Sequence, residues 1–113
     1  MNNIEQRLDE LRRLADEYAD AESERTYLEQ FKHSKLAILM KQFERDYSTV
    51  AAQEREARSH PEYLELLQGL KEATKIAERA KWHLQIAMRG SSLWQTKQAQ
   101  QRAEISAYNT RTP

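Results

Sequence analysis

The sequence predicts an all-α protein, a long antiparallel helical hairpin resembling a coiled coil that self-associates into a helical bundle. The chain has only two glycines and two prolines in 113 residues, and neither type occurs between Asn3 and Arg58. Its apolar residues recur at the alternating spacings of four and three that characterise a heptad. Charged residues are 32% of the chain and apolar residues 39%, a composition typical of long helices. So few turn residues exclude a multi-stranded sheet.

Helix-breaking residues divide the chain at two places. Ser59 and Glu62 have the spacing of a capping box, with Pro61 tolerated in the first turn of the helix that follows. Gly90 indicates either a helix end or a kink. We therefore expect one helical domain over residues 1–113, with a helix over 3–58, a turn over 59–62, a helix over 62–89, a kink or break over 89–92, a helix over 93–107 and a frayed tail over 108–113.

The long first helix has one weak point and an interrupted apolar stripe. Residues 48–50 (Ser, Thr, Val) are poor helix formers and are where it would bend or fray. A single heptad frame is apolar at Ile4, Leu8, Leu11, Ala15, Tyr18, Leu36, Leu39, Phe43 and Val50, but charged at Glu22, Arg25, Glu29 and Lys32. Because burying four charges is costly unless each is paired, we expect the stripe to shift locally onto Ala21, Leu28 and Phe31.

The second helix has a continuous stripe of mostly small apolar residues. It comprises Leu66, Leu70, Ala73, Ala77, Ala80, Leu84, Ala87, Ser91 and Trp94, and charged residues occupy the opposite side. Small residues let a partner helix approach closely, and the bulky 36–50 block is a suitable partner. A chain reversal at 59–62 would place Leu84 beside Leu36–Leu39 and Leu70 or Ala73 beside Val50.

A hairpin of two helices would leave large apolar residues exposed to water. Burying one Leu or Ile side chain is worth about 1.5–3 kcal/mol, so several exposed ones weaken a small domain considerably. We therefore expect a dimer that forms a four-helix bundle. The alternative is a monomeric three-helix bundle in which residues 93–107 form the third helix.

The residue types argue against several classes of chemistry. There is no cysteine, and no histidine has a glutamate three residues before it, so thiolate and di-iron carboxylate metal sites are not expected. There is no glycine-rich phosphate loop and no activated nucleophile. We expect no enzymatic activity, no cofactor and no metal. We expect neither a membrane span nor a signal peptide, and the lack of cysteine suits a cytoplasmic protein.

Charge is unevenly distributed along the chain. Residues 1–30 carry nine acidic and four basic side chains, whereas residues 81–113 carry five basic side chains and one acidic one. Both tryptophans lie in the basic part. Bases interleaved with aromatic rings are typical of surfaces that bind single-stranded nucleic acid, although zero net charge argues against tight binding. The candidate binding residues are Lys81, Trp82, Arg89, Trp94, Lys97 and Arg102, of which Trp94 also suits the core.

The carboxy-terminal half resembles a group of small phage and prophage proteins. The resemblance covers roughly residues 35–104 and rests on the run Tyr63–Ala73 with Ala77 and Glu78, and on Leu93–Glu104. Such proteins are often encoded near recombination genes. The resemblance implies a viral or prophage origin and an accessory role in DNA metabolism, and it implies no catalytic residue.

Two hypotheses for function follow. In the first, the protein is a phage-type adaptor that contacts a protein partner or single-stranded DNA in recombination or replication. In the second, it is a coiled-coil interaction module, such as an assembly chaperone, a scaffold or an inhibitor of a host protein, without nucleic-acid contact. In that second case the acidic segment Ile4–Tyr18 would dock into a groove of its partner.

Overall fold

The computed structural model describes residues 3–111, which form three helices and no strand. They are α1 (Asn3–Gln42), α2 (Val50–Arg58) and α3 (Pro61–Arg111). The molecule measures 95 × 25 × 15 Å and has a radius of gyration of 25.8 Å. A compact chain of this length would have a radius of about 13 Å, so the hairpin is strongly extended. The predicted all-α class and the helical hairpin are confirmed.

The first helix ends at Gln42, so the expectation of one helix over residues 3–58 is wrong. The chain turns between 43 and 49, where the Tyr47 N–H donates to the Phe43 carbonyl at 3.0 Å. Thr49 then caps α2, because its hydroxyl oxygen accepts the Ala52 N–H at 3.2 Å. The break spans residues 43–49, so the weak helix formers at 48–50 lie at its end and at the start of α2, and the break begins five residues earlier than expected. At an N-cap, the Thr hydroxyl accepts from one of the first backbone N–H groups of the helix, which have no carbonyl partner within the helix.

The second break lies at Ser59 and His60, and α3 begins at Pro61. The expected capping box does not form, because Ser59 ends α2 instead of starting α3. Its hydroxyl donates to the carbonyls of Arg55 and Glu56, each at 3.1 Å. His60 acts at the start of α3 in its place, with Nδ1 accepting the Glu62 N–H at 3.1 Å.

The third helix continues without interruption to Arg111, so a helix end at 89–92 is wrong and the segments 62–89 and 93–107 are one helix. The alternative expectation, a kink at 89–92, stays a prediction. Gly69 and Gly90 both lie inside it, and within residues 3–111 no residue has a positive φ. Residues 108–111 of the expected frayed tail are helical, whereas 112 and 113 lie outside the described residues. Gly costs a helix interior about 1 kcal/mol relative to Ala, which good helix formers on both sides can offset.

The helices α1 and α3 pack antiparallel along the length of the rod. Near the closed end, Lys35 Nζ lies 2.8 Å from Glu62 Oε2, and near the open end the Arg7 guanidinium lies 4.6 Å from the centre of the Trp94 ring. The numbers of two residues that face each other across the hairpin therefore sum to roughly 100. The expected register is wrong: Val50 is 67% exposed and Leu84 lies level with residues 14–18 instead of Leu36–Leu39. The shift follows from the early end of α1.

The packing stripe of α3 is the one that its spacing predicts. All nine of its expected members are buried or half-buried, and the charged residues on the opposite side are exposed. In α1 the expected shift is partly correct, because Ala21 and Leu28 join the contact while Phe31 stays 36% exposed. The charged positions also remain in the seam, half-buried and paired along the helix, Arg25 with Glu22 and Lys32 with Glu29.

The best-buried cluster lies at the closed end of the hairpin. Leu39 and Ala57 are fully buried and Tyr63 is 4% exposed, so one residue from each helix meets there. The surrounding partly buried residues are Leu36, Met40, Phe43 and Leu67. The short helix α2 thus covers the turn, whereas the rest of the elongated hairpin is held together by one line of contact between α1 and α3.

Candidate functional site

The six candidate binding residues do not form one site. Trp82, Arg89 and Lys97 are exposed on the side of α3 that faces away from α1, and Trp82 is 52% exposed. Lys81 and Trp94 are half-buried on the side that faces α1. A helix directs residues to different sides every 100° or so, and proximity in sequence therefore did not bring these side chains together.

Lys81 and Trp94 both contribute to the hairpin. A hydrogen bond from Arg25 lowers the pKa of Glu22, and the charges of Arg25 and of Lys81 on α3 lower that pKa further. Trp94 has the Arg7 guanidinium over one face of its ring. This supports the interpretation of Trp94 as a residue that holds the fold, and one of its faces is not open for stacking.

Trp82, Arg89 and Lys97 belong to a longer exposed stripe, which we call the outer face of α3. Ile86 is 64% exposed and Leu93 71% exposed. Spacings of three, four and seven residues place these side chains on one side of the helix. The outer face comprises Lys75, Trp82, Ile86, Arg89, Leu93 and Lys97. Sequence reasoning missed Ile86 and Leu93, although their spacing of four and eleven residues from Trp82 would have found them.

The outer face is basic. Three of its six residues are basic (Lys75, Arg89 and Lys97), and no acidic residue occurs between Arg79 and Ala103. The acids of residues 1–30 lie on α1, and antiparallel packing sets that half of α1 beside this half of α3. The charge asymmetry therefore runs across the rod instead of from end to end, and the outer face is suited to an acidic binding partner.

Arg102 lies apart from the outer face, in a groove at the open end of the hairpin. The groove has a volume of about 290 Å³ and is lined by Ile4, Arg7, Leu8, Ser91, Trp94, Gln95, Gln98 and Arg102. It carries two guanidinium groups and has no acid among its lining residues. The segment Ile4–Tyr18, considered as a docking arm, is packed along α3 through Leu11 and Leu14.

The described residues show no arrangement that points to metal chemistry. Within residues 3–111, no group of three or more His, Asp or Glu side chains is placed to hold a metal ion. None of the helices in the described part of the chain has a stretch long and apolar enough to cross a membrane. The sequence matches no family model, no curated protein and no solved structure.

Proposed function

We propose that this protein is a non-enzymatic interaction module, an adaptor whose outer face of α3 binds an acidic helical segment of a protein partner. The observation that carries the proposal is the exposure of Trp82, Ile86 and Leu93 on one side of a helix, with Arg89 between the last two and Lys97 one turn beyond them. Exposed apolar side chains at helical spacing are the anchors of helix-mediated recognition, and the neighbouring basic side chains favour an acidic partner.

A protein partner suits this surface better than a nucleic acid does. Single-strand binding uses successive aromatic rings on which the bases stack. The outer face offers one ring, Trp82, and two aliphatic side chains, Ile86 and Leu93. Trp94 is half-buried under Arg7. Aliphatic anchors fill pockets between helices but give a base no flat surface.

Single-stranded DNA is the second candidate, because the exposed Trp82 lies in a segment of 25 residues that has five basic side chains and no acidic one. The resemblance of residues 35–104 to small phage proteins also supports it. In either case we propose a phage-type accessory role in recombination or replication, in the cytoplasm of the host cell.

Photo-crosslinking in cells that make the protein tests this proposal. A photoreactive phenylalanine analogue in place of Trp82 should give a discrete protein adduct, and Leu93→Glu in the same chain should abolish it. The matched control carries the analogue in place of Gln30, an exposed residue of α1, and should not give that adduct.

Three results would decide against a protein partner. They are an absence of adducts, an adduct that survives Leu93→Glu, and an adduct with nucleic acid. For the DNA candidate, we would titrate the Trp94→Phe protein with oligothymidylate and follow Trp82 fluorescence. Binding that weakens as salt rises, and that Arg89→Glu with Lys97→Glu removes, would favour DNA.

A further inference from the structure

One flank of the hairpin, which adjoins the outer face of α3, combines apolar, charged and glycine positions in a regular pattern. A groove of about 490 Å³ on this flank is lined by Glu17, Asp20 and Ala21 of α1 and by Ile76, Arg79, Ala80 and His83 of α3. A second groove of about 210 Å³, which includes Glu10 and Gly90, lies nearer the open end, seven residues earlier on α1 and seven residues later on α3. Seven residues are two turns, so both grooves lie on the same flank.

The only two glycines of the chain lie on this flank. Gly69, Ile76, His83 and Gly90 follow one another at intervals of seven residues. Neither glycine has a positive φ, and a Cβ atom added at either would meet nothing within 4 Å. The hairpin itself therefore does not need them, although each costs the helix about 1 kcal/mol relative to Ala. Glycine in a helix also allows a second chain to approach closely.

Apolar side chains cover the same flank toward the closed end. Tyr27 and Phe31 follow Asp20 at seven and eleven residues, and their rings stack at 6.0 Å with an angle of 7°. Tyr27 is 61% exposed and Ile76 is 56% exposed. Ile38, seven residues beyond Phe31, is 50% exposed. These side chains form a patch of the kind that marks an interaction site.

Beside the larger groove the charges of the two helices are complementary. There α1 carries the acids Glu17, Asp20 and Glu24, of which Glu17 is paired with Arg13, and α3 carries Arg79 with His83 one turn further on. Within the described residues, neither Asp20 nor Arg79 forms an ion pair. A surface that is acidic on one side and basic on the other is complementary to itself after a two-fold rotation.

We propose that this flank binds a second copy of the chain, with the two-fold axis parallel to the rod, so that α1 of each hairpin packs on α3 of the other. Such a rotation keeps every residue at its own height along the rod. Each residue of α1 therefore meets the same level of α3 in the second copy as it does in its own hairpin. Phe31 then lies over Gly69 of the other copy, and Asp20 lies beside its Arg79.

The size of the flank suits a stable dimer. From Glu10 to Ile38 it is about 42 Å long, and two helices of about 10 Å each make it about 20 Å wide. The projected area of about 800 Å² equals what each partner contributes to an interface of standard size. The side of α3 that carries Trp82 and Arg89 stays exposed at the two edges of the resulting four-helix bundle, which makes the dimer bivalent. Ile86, seven residues from Arg79, lies at the border of the interface.

The test is the molar mass in solution, measured by light scattering and by sedimentation equilibrium over a wide range of concentrations. The unaltered protein should have twice the monomer mass of 13.4 kDa. Gly69→Leu should give a monomer with unchanged helix content, because the new side chain fits the hairpin but obstructs Phe31 of the second copy. Lys71→Leu is the matched control, since Lys71 lies about 200° further round the helix, and it should remain a dimer.

Charge exchange identifies the facing pair. Asp20→Lys and Arg79→Glu should each weaken dimerisation at low salt, and the two together should restore it. Asp16→Lys, an equal change on a neighbouring exposed residue, should weaken it less. A monomer at all concentrations would overturn the proposal, as would a dimer that tolerates both Gly69→Leu and the single charge reversals.

Discussion

The guanidinium of Arg7 lies 4.6 Å from the centre of the Trp94 ring, and this contact joins the first turns of α1 to the last third of α3. Residues beyond it on α3 are exposed, from Ala99 to Thr110. The contact therefore lies at the open end of the hairpin, far from the cluster around Leu39. It also explains why a tryptophan in the basic segment contributes to the fold and not to the outer surface.

Replacing Arg7 by Met should loosen the open end, because Met keeps the aliphatic stem but removes the cation. The expected loss in the free energy of unfolding is about 0.5–1 kcal/mol, the usual worth of an exposed cation–π contact. Urea unfolding measures it, and Trp94 emission in a Trp82→Phe background should change in the native state. Arg12→Met, which breaks only an exposed ion pair with Asp9, is the control and should leave the Trp94 emission as it was.

Truncation of Leu39 to Ala should be among the most damaging substitutions in the chain. Leu39 is fully buried where all three helices meet, so the expected loss in the free energy of unfolding is about 2–5 kcal/mol. Leu64→Ala is the control, since Leu64 is 51% exposed, and it should change stability by less than about 0.5 kcal/mol. Equal effects of the two substitutions would show that the closed end is not the core.

The ion pair between Lys35 and Glu62 should make stability depend on pH. The hydrogen bond from Lys35 and its charge lower the pKa of Glu62 below 4.5. A carboxylate with a lowered folded-state pKa stabilises the fold above its ordinary pKa, and this contribution disappears as the pH falls through the lowered value. The stability difference between the unaltered protein and Glu62→Gln should therefore be present at neutral pH and vanish in acid.

Urea unfolding at several pH values measures this difference. Other glutamates, including Glu10 and Glu22, also have lowered pKa values, so only the difference between the two proteins is informative. Lys35→Met should remove the same pH-dependent part of the stability. A difference between the unaltered protein and Glu62→Gln that does not change with pH would contradict the assignment.

Thr49→Ala should destabilise α2 and, through Ala57, the closed end. The Thr49 hydroxyl accepts the Ala52 N–H at 3.2 Å, and loss of such a cap costs about 0.5–2 kcal/mol. In the Thr49→Ala protein, amide hydrogen exchange should be accelerated more in α2 than in α1, relative to the unaltered protein. Ser48→Ala is the matched control next to the cap, and if its effect equals that of Thr49→Ala, the capping role is refuted.

Much of the fold could be predicted from local patterns. The stripe from Leu66 to Trp94 lies against α1 as its spacing indicates, because a helix carries residues three and four apart on one side whatever its partner. The weak helix formers at 48–50 marked the end of the break and the start of α2, and Pro61 marked the start of α3. The candidate site was predicted less well, because six residues close in sequence lie on different sides of α3.

The sequence by itself determined the helical class, the hairpin, the packing side of α3 and the basic character of its outer face, since periodicity, propensity and charge are local properties. Only the tertiary structure decided where α1 ends, which residues face each other and that Gly90 stays within a helix. Those depend on competition between distant groups. The cluster of Leu39, Ala57 and Tyr63 sets the register between α1 and α3, and no local pattern contains that contact.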